Sequence, residues 1–289
     1  MSILVTGATG TIGSLVAQGL AAAGAQVKAF VRTPGKQRFP AGVAEVVGDL
    51  TDVASMRSAL ADVRTLFLLN AVTPDEVTQA LVALNLAREA GVERIVYLSV
   101  IHADRYTNVP HFTGKHTVER MIETLGIPAT ILRPAYFMQN DLSVANVIRD
   151  HGTYPMPIGQ AGVAMIDTRD IADIAVAELL RRDRAATALP RLVLDLVGPH
   201  PLTAADAAQA WARGFGRDVA VGNGDLAAFE QQFATFSPSW LAYDMRLMMG
   251  RIQEIGMHGD ADAVDRLQAI LGRPLRSYAE FVADAVRVG

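Results

Sequence analysis

Six short apolar runs, at residues 2–6, 26–31, 43–47, 63–69, 93–98 and 128–132, alternate with helix-like stretches at 11–23, 52–61, 75–90 and 114–125. The runs are rich in Val, Ile and Leu with little polar alternation, as strands are when both faces of a sheet are covered. Such strands between amphipathic helices predict an α/β chain built on a parallel sheet. Asp49-Leu50-Thr51-Asp52 closes the third run, and Asp52 suits the N-cap of the next helix. Beyond about residue 136 the pattern loosens. Residues 150–163 include Gly152, Pro155, Pro157 and Gly159 and predict an irregular loop. Residues 166–180 predict a helix with Asp170 in its first turn, Leu192 to Val197 a strand, and 203–289 mainly helices. The expected division is a sheet core over 1–135 and a smaller, mostly helical region over 136–289, interleaved with the core through residues 166–197.

The first strand runs into Gly7-Ala8-Thr9-Gly10-Thr11-Ile12-Gly13, and an Ala- and Leu-rich helix follows. Strand, glycine loop, helix and second strand form the layout in which helix N-terminal N–H groups hold a pyrophosphate. The expected fold is therefore a Rossmann-type doubly wound parallel sheet. Gly7 suits the tight turn, Gly10 the approach of phosphates, and Gly13 close helix–strand packing. An NAD site places Asp or Glu about 20 residues past the glycines. Here the second strand ends Phe30-Val31-Arg32-Thr33-Pro34-Gly35-Lys36, with no acid. Arg32 and Lys36 supply charge for a ribose 2′-phosphate and Thr33 a hydroxyl, which favours NADP(H). A solvated surface loop is the competing reading. Asp49 suits either a turn or an approach to adenine.

The 289 residues are 51% hydrophobic and 19% charged, enough for a large core. A net charge of −4 with scattered basic residues argues against nucleic acid as a partner. No apolar run reaches membrane-span length, and the chain opens directly in a strand, so cytoplasmic residence is the default expectation. With no cysteine, thiol catalysis and cysteine-ligated zinc are excluded. His102, His111 and His116 lie close in sequence but lack acidic or thiolate partners at ligand spacing, so no metal site is expected. Met245, Met248, Met249 and Met257, with Trp240 and Tyr243, fit either an adaptable apolar pocket or helical core packing. Phe229, Phe233 and Phe236 are open to the same two readings. The sequence leaves the oligomeric state open, a homodimer included.

With these segments in hand the chain resembles the NmrA-like group, atypical members of the short-chain dehydrogenase/reductase superfamily. The resemblance rests on the glycine loop, Val31-Arg32, Val96-Tyr97-Leu98-Ser99 and Gly114-Lys115-His116-Thr117-Val118-Glu119. It continues through Gly126-Ile127-Pro128-Ala129-Thr130-Ile131-Leu132-Arg133-Pro134, Phe137-Met138-Gln139-Asn140 and Ile166-Asp167-Thr168-Arg169-Asp170-Ile171-Ala172. It implies an NADP-binding core over 1–135 and a substrate-cleft region beyond it. It also implies NADPH-dependent reduction of quinones or dyes, or, alternatively, a non-catalytic NADP(H)-sensing regulator. On this resemblance Gly7, Thr9, Gly10, Thr11, Ile12, Gly13 and Arg32 hold the cofactor, with Thr33, Asp49, Leu50, Asn70 and Ala71 beside it. Lys115 orients the nicotinamide ribose, Pro134, Tyr136 and Phe137 flank the ring, and Tyr136, Phe137 and Asn140 face the substrate.

In the wider superfamily a Tyr four residues before a Lys delivers a proton, helped by a Ser after the fifth strand. Ser99 and Lys115 stand at matching places, but the position four before Lys115 is His111. A histidine titrates close to neutrality and can serve as the acid, although an exposed loop histidine fits the sequence equally well. Tyr106, nine residues before Lys115, carries little weight. Hydride transfer to a quinone, dye or imine asks for only a modest proton source, whereas an unactivated ketone asks for more. The missing tyrosine therefore points to small, planar, easily reduced acceptors.

Overall fold

A computed structural model describes residues 2–288. The elements run β1 (Ser2–Val5), α1 (Thr11–Ala22), β2 (Val27–Val31), β3 (Val43–Val47), α2 (Val53–Leu60), β4 (Val63–Leu68), α3 (Glu76–Glu89) and β5 (Arg94–Leu98). They continue with α4 (Pro110–Thr124), β6 (Ala129–Pro134), a 3-10 helix over Met138–Val144, α5 (Ala145–His151), β7 (Thr153–Tyr154), α6 (Thr168–Arg184) and β8 (Leu192–Leu196). The chain ends through α7 (Ala204–Phe215), β9 (Ala220–Val221), α8 (Leu226–Phe233), α9 (Ser239–Ile255), α10 (Ala263–Leu271) and α11 (Tyr278–Val288). Seven strands form one sheet in the order β3-β2-β1-β4-β5-β6-β8, parallel from β3 through β6. Successive strands are added outward in opposite directions from β1 and β4. This is the doubly wound arrangement, with its switch point between those two strands.

The chain divides into two compact units, each woven from three segments. The first comprises residues 1–100, 114–133 and 169–194 and holds most of the sheet. Leu4, Leu66, Leu68, Ile95, Tyr97 and Ile131 pack on one face against α2, α3 and α4 through Met56, Leu60, Leu84 and Val118, all buried. Small alanines (Ala80, Ala83 and Ala87) let α3 lie close to the sheet. α1 and α6 pack together, and a methyl group on Gly19 would come within 2.9 Å of Val176. Arg182 of α6 is fully buried. Its guanidinium donates to Thr130 Oγ1 of β6 at 2.6 Å and to the carbonyls of Leu189 and Pro190 at 3.0 and 2.9 Å. Burial lowers its pKa to about 10, so the group still carries its charge at neutral pH.

The second unit comprises residues 101–113, 134–168 and 195–289. Beside its helices it holds a parallel two-strand ribbon that pairs Thr153 with Ala220 and Tyr154 with Val221, and isolated bridges pair Phe137 with Ile166 and Val163 with Leu202 and Met257. Each strand of that ribbon has two residues, too few for periodicity to reveal, and β7 lies in the stretch read as loop. α5 is a short helix in the stretch after residue 136 where the pattern loosens and predicts no helix. α4 begins at Pro110, four residues ahead of the expected start at 114, because proline fits the first helical position, where its missing N–H costs nothing. Met248, Met249 and Met257 are buried, in line with core packing, whereas Trp240, Tyr243 and Phe236 are exposed. Phe229, Phe233 and Phe236 form a chain of rings, with centroids 5.7 and 4.9 Å apart. Among the described residues no helix is long and apolar enough to cross a membrane.

A buried polar network lies inside the second unit. Trp211 Nε1 donates to the Tyr278 hydroxyl at 2.8 Å. The hydroxyls of Tyr278 and Tyr154 both donate to Asp141 Oδ2. Burial raises the Asp141 carboxyl to about 6, against the pull of its two tyrosine donors. The folded chain therefore holds this proton more tightly than the unfolded chain. Stability from this group is greatest below the unfolded value of 3.8 and is lost as pH rises through about 6. Relative to Asp141→Asn, which cannot titrate, the wild type should lose up to about 3 kcal/mol between pH ~4 and pH ~7. Urea unfolding of both proteins across that range measures it, and a pH-independent difference would refute the assignment.

Candidate functional site

The loop after β1 is shaped by two close approaches. Gly7 has φ +62°, and its N–H-bearing turn is closed by the Gly10 N–H donating to the Gly7 carbonyl at 2.9 Å. A methyl group on Gly7 would sit 2.4 Å from Leu69 Cδ2, in the loop after β4. A methyl group on Gly13 would sit 2.2 Å from the Gly7 carbonyl oxygen, closer than any packing allows. Only glycine at 13 lets the first turn of α1 rest on the end of β1. Gly10 is the N-cap of α1 and brings no side chain to it. The first intrahelical bond runs from the Ser14 N–H to the Gly10 carbonyl at 3.0 Å. The N–H groups of Thr11, Ile12 and Gly13 precede it and emerge from the positive end of the helix dipole, which suits an anion. Thr9 is half-buried, Ile12 buried and Thr11 exposed.

At the end of β2, Arg32, Thr33 and Lys36 are exposed. The Gly35 N–H donates to the Glu45 carboxylate at 3.1 Å, which turns this loop back toward β3. Asp49 Oδ1 accepts from the Thr51 hydroxyl at 2.6 Å and the Thr51 N–H at 2.8 Å. Those bonds, and beyond them the Arg32 charge, hold its carboxyl below the usual range. Asp75 is lowered by Gln79 and Thr73 and also feels Arg32. Asp52 caps α2, accepting from the Ala54 N–H at 2.9 Å. Leu50 is half-buried. Past β4, Ala71 is exposed, while the Asn70 amide is buried and donates to Gln79 Oε1 at 3.3 Å.

Lys115 is no surface lysine. Its ammonium is buried 2.7 Å from the Glu76 carboxylate in the first turn of α3, and 5.9 Å from the centre of the Tyr97 ring. Burial, with the charges of Glu76 and Glu119, pushes the Tyr97 hydroxyl well above its ordinary pKa. Ser99 is buried at the end of β5 and donates its hydroxyl proton to Glu119 Oε1 at 2.5 Å. Arg133 donates to both oxygens of the same carboxylate, from Nε at 3.0 Å and from Nη2 at 2.5 Å. Glu119 thus ties β5, α4 and β6 together through two expected site segments. Sequence reasoning passed over Glu76, which looked like an ordinary acidic residue opening a helix, and Glu119, which was only part of a motif.

In the second unit His111 is largely buried near the start of α4, not exposed on a loop. Its backbone N–H donates to Asp244 Oδ1 at 3.0 Å, and its ring Nδ1 is hydrogen-bonded to Asp244 Oδ2. Asp244, fully buried in α9, was also missed. A lone carboxylate amid Tyr243, Met245, Met248 and Met249 was the available signal. His102 is engaged elsewhere, with Nε2 bonded to the His258 carbonyl at 2.7 Å, and the Tyr106 hydroxyl donates to the Gly256 carbonyl. Among the described residues no group of three or more His, Asp or Glu side chains is arranged to hold a metal ion. Pro134 and Tyr136 are buried, Phe137 is half-buried and Asn140 is exposed. The Tyr136 N–H faces Met257 Sδ at 3.1 Å, and burial raises its phenol well above the ordinary value while the Asn140 side chain bonds to it.

Removing one partner of a buried ion pair strands the other charge. Lys115→Met should therefore destabilise the protein by about 3–5 kcal/mol, and adding Glu76→Leu should recover most of that loss. A double-mutant cycle by chemical denaturation measures the coupling, and additive losses would show that the two charges do not depend on each other.

An NAD(P)H azoreductase from Xenophilus azovorans is 32% identical over 284 residues, covering 96% of each chain. A (4-alkanoyl-5-oxo-2,5-dihydrofuran-3-yl)methyl phosphate reductase from Streptomyces griseus is 32% identical over 287 residues, covering 98% of this chain and 97% of that one. Among solved structures, an NADPH-dependent quinone oxidoreductase from Escherichia coli in complex with NADPH superposes with a TM-score of 0.85. It is 27% identical, and the match covers 98% of this chain and 99% of the other. Residues 1–281 match the NmrA-like family across the sheet core and most of the helical region, and the chain belongs to that family.

Proposed function

We propose that this chain is an NAD(P)H-dependent reductase that prefers NADPH and delivers hydride to a small planar acceptor, such as a quinone or an azo or triphenylmethane dye. The observation that carries this reading is the cradle at the head of α1. There the Gly7 carbonyl leaves no room for a Cβ on Gly13, and a helix N-terminus without a capping side chain faces outward. Three N–H groups and the helix dipole there suit a pyrophosphate. The similarity to an azoreductase and to a quinone oxidoreductase supports the same cofactor and reaction class.

Within this reading Gly7, Thr9, Gly10, Thr11, Ile12 and Gly13 bind the pyrophosphate. Arg32, with Thr33, meets the 2′-phosphate, and Asp49, Leu50, Asn70 and Ala71 border the adenosine half. Lys115 holds the nicotinamide ribose. Its ammonium has three N–H donors, and the single Glu76 contact leaves others for ribose hydroxyls. Pro134, Tyr136 and Phe137 flank the ring, and Tyr136, Phe137 and Asn140 bound the acceptor. When bound, the reduced nicotinamide supplies the hydride. Ser99 already gives its proton to Glu119, so its part is to fix the end of β5 rather than to protonate a substrate.

The test is loss of NADPH absorbance against a panel of quinones, azo dyes and triphenylmethane dyes, with NADH in parallel. Turnover with NADPH preferred is expected, and NADPH binding without turnover across the panel would sink the reductase reading. Arg32→Ala should weaken NADPH by about ten- to a hundredfold, the worth of a charge-assisted phosphate contact, and NADH far less. Equal losses for both cofactors would remove the case for a 2′-phosphate contact.

A further inference from the structure

Residues three and four apart share a helix face, so α7 lines up Asp206, Gln209, Ala210 and Arg213. This stripe is one wall of a cleft of about 220 Å³ contained within the second unit. The other walls are Met138, the loop of His200 and Leu202, and the first turn of α11 at Tyr278. The inner end is apolar, with Met138, Ala210 and Tyr278 buried and Leu202 half-buried. The Tyr278 hydroxyl is engaged with Asp141 and Trp211, so this residue offers the cleft its ring. The mouth is polar, with His200, Gln209 and Arg213 exposed, and none of the three has a side-chain partner among the described residues. The acid of the stripe is already engaged, since Asp206 Oδ2 accepts from the Thr203 hydroxyl at 2.6 Å and the Thr203 N–H at 2.9 Å. It stands seven residues from Arg213, about 10 Å along the helix, too far to pair with it.

We propose that the cleft binds a small aromatic monocarboxylate, with its ring against Met138, Ala210 and Tyr278 and its carboxylate on Arg213. None of these residues belongs to the proposed dinucleotide or acceptor site. The volume lies below the ~300–1,000 Å³ of drug-sized sites, so it suits a single ring and is too small for a nucleotide. A ring packs edge-on or offset against a tyrosine ring and meets a thioether favourably. A guanidinium is always charged, and its planar fork matches the two oxygens of a carboxylate. His200 and Gln209 supply further donors at the same mouth. Each part of this ligand answers a part of the cleft. Acetate or inorganic phosphate would leave the apolar end unfilled, and a neutral ring would leave Arg213 unpaired.

Benzoate tests this by NMR on the full chain carrying isotope-labelled methionine methyl groups, with acetate, inorganic phosphate and benzamide in parallel. Benzoate should move the Met138 methyl resonance saturably through its ring current, while the buried Met248 and Met249 methyls stay in place. Benzamide, which has the same shape without the charge, should bind about ten- to a hundredfold more weakly, the worth of a charge-assisted contact. Arg213→Gln, at an exposed position, should weaken benzoate by the same factor and leave the Tm of the free protein within about 2 °C. Benzoate bound equally well by Arg213→Gln, or benzamide bound as tightly as benzoate, would overturn the carboxylate contact. Acetate or phosphate bound as tightly as benzoate would overturn the seat for the ring. A Met138 methyl that stays in place at ~50 mM benzoate would overturn the site itself.

Discussion

A carbonyl oxygen and the absence of a methyl group set the geometry on which the rest of the site depends. The Gly7 carbonyl lies where a Cβ on residue 13 would be, 2.2 Å away. This contact seats α1 on the end of β1, at the point where strand order reverses, and decides where the open N–H groups of the helix point. Leu69 lies against Gly7, and Arg32 follows the end of the adjacent strand β2. A side chain at residue 13 would shift the helix rather than fill a gap, because interiors are packed too closely to yield at backbone atoms, whereas one at residue 7 would run into the Leu69 side chain.

Three buried charges beside the site lie in ion pairs. Lys115 meets Glu76, Arg133 meets Glu119, and Asp244 meets His111. Each pair has one member on α4: Lys115, Glu119 or His111. Desolvation makes such pairs weak contributors to net stability, but it makes any alternative pairing expensive. Within the first unit, the Lys115 and Glu119 pairs therefore fix the register of α4 against α3 and β6 more firmly than apolar contacts could, since apolar contacts tolerate sliding.

What was legible in the sequence follows from the same physics. Strands β1 to β6 could be read to within a residue or two because they are short runs dominated by Val, Ile and Leu, buried in the inner strands and partly exposed only at the edge strand β3. The glycine loop, the cap at Asp52 and the acidic first turn at Asp170 could be read because they act over a few residues. The start of α4 could not, because its first turn is held by Asp244, more than a hundred residues away, and no local pattern encodes that bond. Glu76 as the counter-charge of Lys115, and the commitment of Ser99 to Glu119, were hidden for the same reason. The aromatic residues of α8 and α9 show the converse. They could be read as pocket lining or core packing, yet Phe236, Trp240 and Tyr243 are exposed.

Arg182 gives the chain a particular order of assembly. The sheet that carries the glycine loop is not complete when β6 leaves the ribosome, because α6, which covers α1, and the guanidinium that ties β6 to the 189–190 turn come some fifty residues later. In the interval Thr130 lacks its buried partner and one side of α1 is open to water. During synthesis the helical segments between β6 and α6 must therefore emerge while the dinucleotide-binding layer is still unfinished, so that layer closes late, from the middle of the chain. A nascent chain stalled near residue 150 would expose apolar surface that a completed one does not, and would be a natural client for chaperones.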